Sequence, residues 1–411
     1  MAATVTATLA SQRQLFEGVF EDEPVFDVHP EIEGPQDVAS VQDGSPEQVD
    51  SDANTAKYNE NGYVEVEPAK FVDSYKPPAI DGDFRDKHIV TVEQFARDDL
   101  RVLFEVASTL KKRIRSGDRG VVEIATGQVL ALLFFESSTR TDMSFQAAML
   151  RLGGKVIGAS NGIQFSSVYK GEDLPDTVRA AGCYADVIAL RHPRVGASYL
   201  AAHYLDLLAE KIGRRSVVLS AGDGVGEHPT QALLDLFTIL ESKGTVDGLA
   251  ITMVGDLKHG RTVHSLAKLL ATYGACGTEV NFVSPVSLKM PTAIVQRLHE
   301  ANISVQETED LDEVVGSSDV IYWTRVQEER FDERAEYDQV KEGFIMTPSV
   351  MRRARGEAIL MHPLPRKHEM GGPRDHDLLD ADPRSVYFQQ MENGMLVRMA
   401  LLAKILKGVH I

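Results

Sequence analysis

Residues 129–152 read VLALLFFESSTRTDMSFQAAMLRL. The run from Val129 to Phe135 is apolar without alternation, which predicts a parallel strand covered on both faces. A polar turn from Glu136 to Thr141 follows. Phe145, Ala148, Met149 and Leu152 then recur at i, i+3, i+4 and i+7, the apolar stripe of a helix that Gly153-Gly154 stops. The first turn of a helix has backbone N–H groups without partners and the positive end of the dipole, so it favours an anion. Ser138, Thr139 and Thr141 add hydroxyl donors and Arg140 a planar two-pronged cation, a set that suits phosphate. The same string also fits a plain helix cap at Ser138 or Thr139 with Arg140 in solvent. Other segments must decide between them.

A chain of 411 residues, 43% of them hydrophobic, is long and apolar enough for about two domains beside any tail. No apolar run reaches the ~18 residues needed to span a bilayer, so no membrane partner is expected. Cys183 and Cys276 have neither C-x-x-C spacing nor clustered histidines, which disfavours a disulfide framework and a metal site and fits a reducing compartment. The net charge of -18 is uneven: residues 1–80 hold sixteen acids and four bases, leaving -6 for the rest. That balance speaks against nucleic acid but leaves local basic groups free to act.

Residues 1–84 are acidic, lack periodicity and are expected to be a disordered extension. Their first fifteen residues are acid-free, a faint transit-peptide trait, but one arginine is thin support, and a cytoplasmic location is expected. From Lys87 the stretch HIVTVEQFARDDLRVLFEVASTLKKRI reads as one amphipathic helix with Thr91 as N-cap. Beyond the opening junction, strands are expected at Lys155 to Gly158, Asp186 to Leu190 and Ser216 to Ala221. The second of these delivers Arg191, and the helix after the third starts at His228 with Gln231 in its first turn. A second α/β run starts after Gly244, with strands LAITMVGD, EVNFVSP, DVIYW and Ala358 to Met361. Polar residues at the carboxyl ends of successive strands converge on one crevice. G-D-L-K-H-G lacks the glycine spacing of a dinucleotide site, so no nicotinamide or other cofactor is expected. The fold class is α/β with two doubly wound parallel-sheet domains, 85–243 and 244–385. The apolar helix within 386–411 is expected to pack back on the first.

In order, FFESSTRT, SFQAAMLRLGG, YKGED, LRHP, GDGVGEHPTQALLDLFTI, GRTVHSL, RVQ and HPLPR resemble the aspartate carbamoyltransferases over about residues 85–411. The resemblance implies that 85–243 binds carbamoyl phosphate and 244–385 aspartate, for the early pyrimidine pathway. It places the phosphate on Ser138, Thr139, Arg140 and Thr141 with Arg191. Thr141, Arg191 and His228 would meet the carbonyl oxygen. Gln231 and the backbone carbonyls of Leu364 and Pro365 would meet the carbamoyl amine. Arg261, Thr262, Arg325 and Gln327 would hold the aspartate carboxylates, with Lys170 assisting. Ser166 and Lys170 would reach a neighbour's site, which implies a homotrimer with shared active sites. Two residues depart from the family pattern: Ser137 stands where proline is usual, and Asp142 puts an acid close to the phosphate turn. Three rivals are weighed. An ornithine enzyme would carry a cysteine where Pro363 stands and an acid for the second amine; a scaffold chain would not need the intact site; a dehydrogenase would need its glycine fingerprint.

Overall fold

The run that begins at Val129 forms strand β1 (Val129–Phe134) in a computed structural model that describes residues 66–158, 171–326, 337, 340 and 343–407. Leu130, Leu132 and Phe134 join one core cluster, while Ala131 and Leu133 join another on the opposite face. Both faces are therefore covered, which is why the strand carries no polar alternation. β2 (Lys155–Gly158), β3 (Val187–His192) and β4 (Val217–Asp223) complete a parallel sheet in the order β2-β1-β3-β4. β5 (Ala250–Val254), β6 (Glu279–Val283), β7 (Ser304–Thr308), β8 (Val320–Trp323) and β9 (Ile359–Met361) form a second, in the order β7-β6-β5-β8-β9. It too is parallel throughout.

Eleven α-helices lie among the described residues. The first lobe uses α1 (Lys70–Ser74), α2 (Arg97–Arg115), α3 (Thr139–Arg151), α4 (Leu174–Tyr184), α5 (Ala197–Ile212) and α6 (Pro229–Lys243). The second uses α7 (Arg261–Tyr273), α8 (Thr292–Glu300), α9 (Pro348–Arg353) and α10 (Pro373–Asp380). The last, α11 (Tyr387–Lys407), packs back on α2, α3 and α6 of the first lobe, as its apolar character predicts. It buries Leu396, Val397, Met399, Leu401, Leu402 and Ile405. At about 2 kcal/mol for each buried side chain, this contributes on the order of 10 kcal/mol before entropy is counted.

Topology fixes where a ligand can sit. In the first sheet the chain steps from β1 to β2 on one side and then to β3 on the other; in the second it steps from β5 to β6 and β7, then to β8 across the sheet. The strand order reverses between β1 and β3 and between β5 and β8, and crevices open at the carboxyl ends of strands at such points.

Three local expectations need correction. Thr91 does not cap the long helix. Its hydroxyl accepts from the Glu93 N–H (3.2 Å) and closes a 3-10 turn, Val92–Gln94. α2 starts afresh at Arg97, where the Asp99 carboxylate takes the Ala96 N–H (2.7 Å). β7 was not foreseen, because SVQET is polar and half exposed at a sheet edge, where burial leaves no signature. The packed chain also begins before residue 85, since Ile80 and Phe84 are already core residues.

Candidate active site

Three helix starts face one cleft of about 740 Å3: Ser138 to Thr141 at α3, His228 and Gln231 at α6, and Arg261 and Thr262 at α7. Ser138 is the N-cap residue of α3, yet its hydroxyl makes no capping bond. His228 and Gly260, the N-cap residues of α6 and α7, make none either. First-turn N–H groups left without caps keep their pull on an anion. The cleft lining also contains five arginines, Arg140, Arg191, Arg261, Arg325 and Arg398, against one acid, Glu136. Among the described residues the lining is thus +4 on a chain of net charge -18. Burial first, and then the charge of nearby Arg325, pull the Arg140 guanidinium pKa below its usual value.

Glu136 joins the lobes. Its Oε2 ion-pairs with Nη2 of Arg191 at the end of β3 (3.0 Å) and accepts from Nη2 of Arg261 at the start of α7 (3.1 Å). Arg191 Nη1 also donates to the Ala221 carbonyl (3.1 Å), and Arg261 Nη1 to the Gly224 carbonyl (2.8 Å). Gly222 makes this crowding feasible. It sits at φ +112°, and a Cβ there would lie 3.3 Å from both Arg191 Nη1 and Arg261 Cζ. Each guanidinium has five N–H donors, so these contacts still leave donors for a ligand.

His228 is buried, its backbone N–H donates to Ser265 Oγ (2.9 Å), and its Nδ1 has no hydrogen-bond partner. Burial first, and then the charges of Arg191, Arg261 and Arg398, push its pKa well below the ordinary value. It is therefore a neutral imidazole at physiological pH, able to donate one N–H but not to act as an acid. Gln231 donates through Nε2 to Asp235 Oδ1 (2.9 Å) one turn along α6. Asp235 is fully buried and also accepts from Gln390 Nε2 (2.6 Å) and Tyr322 OH (2.8 Å). Burial outweighs these three donors and pushes its carboxyl up to about 7.

The loop after β9 closes one wall with Pro363, Leu364 and Pro365. Leu364 takes φ +55° and its N–H donates to His362 Nδ1 (2.8 Å). That fixes the tautomer, so His362 Nε2 donates to Glu369 Oε1 (3.1 Å). Arg398, from α11, is buried among Ser144 Oγ (2.9 Å) and Thr230 Oγ1 (3.1 Å).

Of the residues singled out in the sequence, Ser138, Thr139, Arg140, Thr141, Arg191 and His228 meet in this cleft, as do Gln231, Arg261, Thr262, Arg325, Leu364 and Pro365. Ser166, Lys170 and Gln327 lie outside the described residues. Asp142 turns to Gln146, whose Nε2 donates to it (2.5 Å), and is not part of the lining. Ser137 lines the cleft. Four residues were missed: Glu136, Asp235, Gln390 and Arg398. Glu136 carried a signal, being an acid inside the polar turn before α3. The other three sit on helix faces that read as ordinary packing.

Residues 87–241 match the family described as "Aspartate/ornithine carbamoyltransferase, carbamoyl-P binding domain", and residues 247–405 match its companion, "Asp/Orn binding domain". The chain is 43% identical over 320 residues to the aspartate carbamoyltransferase catalytic subunit of Thermococcus onnurineus, covering 78% of this chain and 97% of that protein. It is 48% identical over 323 residues to the multifunctional protein CAD of Squalus acanthias, which is 79% of this chain but spans only 14% of that protein's length. Among solved structures, aspartate transcarbamoylase from Trypanosoma cruzi in complex with carbamoyl phosphate and aspartate superposes with a TM-score of 0.71. It is 40% identical, and the match covers 80% of this chain and all of that one. Two family matches that together span most of the chain, and a single-function relative matched over nearly its full length, place this chain in the aspartate/ornithine carbamoyltransferase family, with the aspartate carbamoyltransferases.

Proposed function

We propose that the chain transfers the carbamoyl group of carbamoyl phosphate to the amine of L-aspartate, giving N-carbamoyl-L-aspartate and phosphate for pyrimidine synthesis. The observation that carries this is the charge of the cleft: five arginines and three uncapped helix starts against one acid. A phosphate dianion and two carboxylates need such a surface; a second amine, as in ornithine, needs an acid. Glu136, the acid available among the described lining residues, is held by two arginines.

In this reading Ser138, Thr139, Arg140 and Thr141 hold the phosphate with Arg191, and Arg261, Thr262 and Arg325 hold the aspartate carboxylates, with Gln327 and Lys170 completing the set. Thr141, Arg191 and neutral His228 face the carbonyl oxygen, and Gln231 with the Leu364 and Pro365 carbonyls faces the carbamoyl amine. The free amine attacks the carbonyl carbon, a C–N bond forms, and the C–O bond to phosphate breaks. The proton shed by the amine leaves with the phosphate, since His228 is kept neutral and Glu136 is ion-paired. Negative charge grows first on the carbonyl oxygen and then on the leaving group, and donors fixed at both places lower the barrier. Holding both substrates side by side contributes much of the rest. Turnover of carbamoyl phosphate with aspartate and, separately, with ornithine tests the reading; preference for ornithine refutes it.

The proposal extends to the boundary between the two lobes at 243, a homotrimer with Ser166 and Lys170 lent to a neighbour's site, and work in the cytoplasm. Exposed, unpaired Cys183 and Cys276 support a reducing compartment. Mixing Lys170→Ala with Arg140→Ala chains under demonstrated subunit exchange should restore activity; none at any ratio refutes shared sites.

A further inference from the structure

One buried carboxylate ties together the elements around the proposed carbamoyl-amine position. Asp235 Oδ1 accepts from Gln231 Nε2 and from Gln390 Nε2, and its Oδ2 accepts from Tyr322 OH. Gln390 in turn accepts the His362 N–H through its Oε1 (3.0 Å), at the root of the loop that places Leu364 and Pro365 in the cleft wall. Gln231 belongs to α6, Tyr322 to β8 and Gln390 to α11, so the hub joins both lobes and the helix that returns between them.

In its ionised form the Asp235 carboxylate only accepts hydrogen bonds, so it dictates how a neighbouring amide stands. Gln231 must offer Asp235 its NH2, which leaves its carbonyl oxygen as the group presented to the cleft. A substrate NH2 needs an acceptor there, and a flipped Gln231 would set NH2 against NH2. We propose that Asp235 is a positioning residue of the transfer reaction: it locks Gln231 with its oxygen toward the carbamoyl amine and, through Gln390, steadies the loop on the other side of that amine. The inference rests on the function proposed above.

The test is a mutant cycle on the full chain, with Asp235→Leu and Asp235→Asn each made alone and with Gln231→Ala. Asp235→Leu is isosteric and offers no acceptor, and it should lower kcat by about 10²-fold, the scale of one misplaced polar group, while KM for aspartate moves less than about 3-fold. Asp235→Asn keeps one oxygen that can take both glutamine donors, with its NH2 toward Tyr322, and should recover at least a tenth of the wild-type kcat. In the Gln231→Ala background either change should cost less than about 3-fold, because the residue it positions is gone. A loss carried unchanged into that background, or a rise in the aspartate KM equal to the fall in kcat, overturns the inference by showing a general structural defect. If Asp235→Leu does not fold, the Asp235→Asn cycle decides by the same criterion. Full activity of Gln231→Ala would instead refute the role proposed for Gln231, and absence of wild-type turnover would refute the function itself.

Discussion

Replacing Arg140 by alanine removes a cation that stands at the start of α3, open to the cleft and close enough to Arg325 for the two charges to oppose each other. A phosphate oxygen about 4 Å from that guanidinium, in surroundings with an effective dielectric near 20, interacts with it by about 4 kcal/mol. At about 1.4 kcal/mol per decade this is close to 10³-fold, and losing one preorganised donor alone typically costs ~10²- to 10³-fold. Part of the loss is returned when water fills the space and when repulsion with Arg325 disappears, so the expectation is a fall of about 10²- to 10³-fold in kcat/KM for carbamoyl phosphate. Arg140→Lys, which keeps the charge but not the two-pronged geometry, should fall in between. The assay is formation of carbamoyl aspartate at saturating aspartate over a carbamoyl phosphate series, with inhibition by inorganic phosphate read in parallel. An Arg140→Ala chain that melts like the wild type and keeps kcat/KM within about 5-fold would remove the phosphate from the α3 turn and with it the electrostatic argument.

Arg325→Met should raise the KM for aspartate by about 10- to 100-fold, the worth of a charge-assisted hydrogen bond, while phosphate inhibition stays near wild type; equal damage to both would show that the arginine serves the cleft as a whole. Gly153→Ala should cost more than about 2 kcal/mol, read as a drop in melting temperature, because Gly153 sits at φ +84° and its Cβ would fall 1.6 Å from the Val122 carbonyl oxygen; an unchanged melt contradicts this. The carboxyl of Asp235 is pushed up to about 7 in the folded chain against 3.8 in the open one, so the folded state binds the extra proton between those values. Its stabilising effect is therefore complete below about pH 4 and lost as pH rises through about 7, by on the order of 4 kcal/mol. Melting curves should show Asp235→Asn gaining on the wild type between about pH 5 and about pH 8; a constant gap refutes the assignment.

Much of this architecture could be read from local pattern, because the physical cause was itself local. β1 lacks polar residues because both its faces are covered, and the stripe Phe145, Ala148, Met149 and Leu152 is buried throughout, as its spacing requires. The helix start at Ser138 to Thr141 was legible too, since its turn and its hydroxyls are neighbours in sequence. What escaped was set by partners far along the chain. Asp235 lies in an apolar helix where an acid looks like a stray surface residue, and only Tyr322 and Gln390, delivered by other elements, make it a hub. Arg398 hides in the same way within a strongly apolar stretch of α11, held by Ser144 and Thr230. β7 failed for the opposite reason: as a polar edge strand it is specified by the ladder it joins, not by its own residues.

The return of α11 to the first lobe gives assembly of this chain an order in time. The faces of α2, α3 and α6 that it covers belong to the part of the chain a ribosome makes first, yet their cover is made only after the entire second lobe. Until then the early lobe has an open apolar groove, and the cleft lacks Gln390 and Arg398, which form part of its wall. A nascent first lobe is thus unsealed, and the single closing helix finishes the core and the cleft wall in one step.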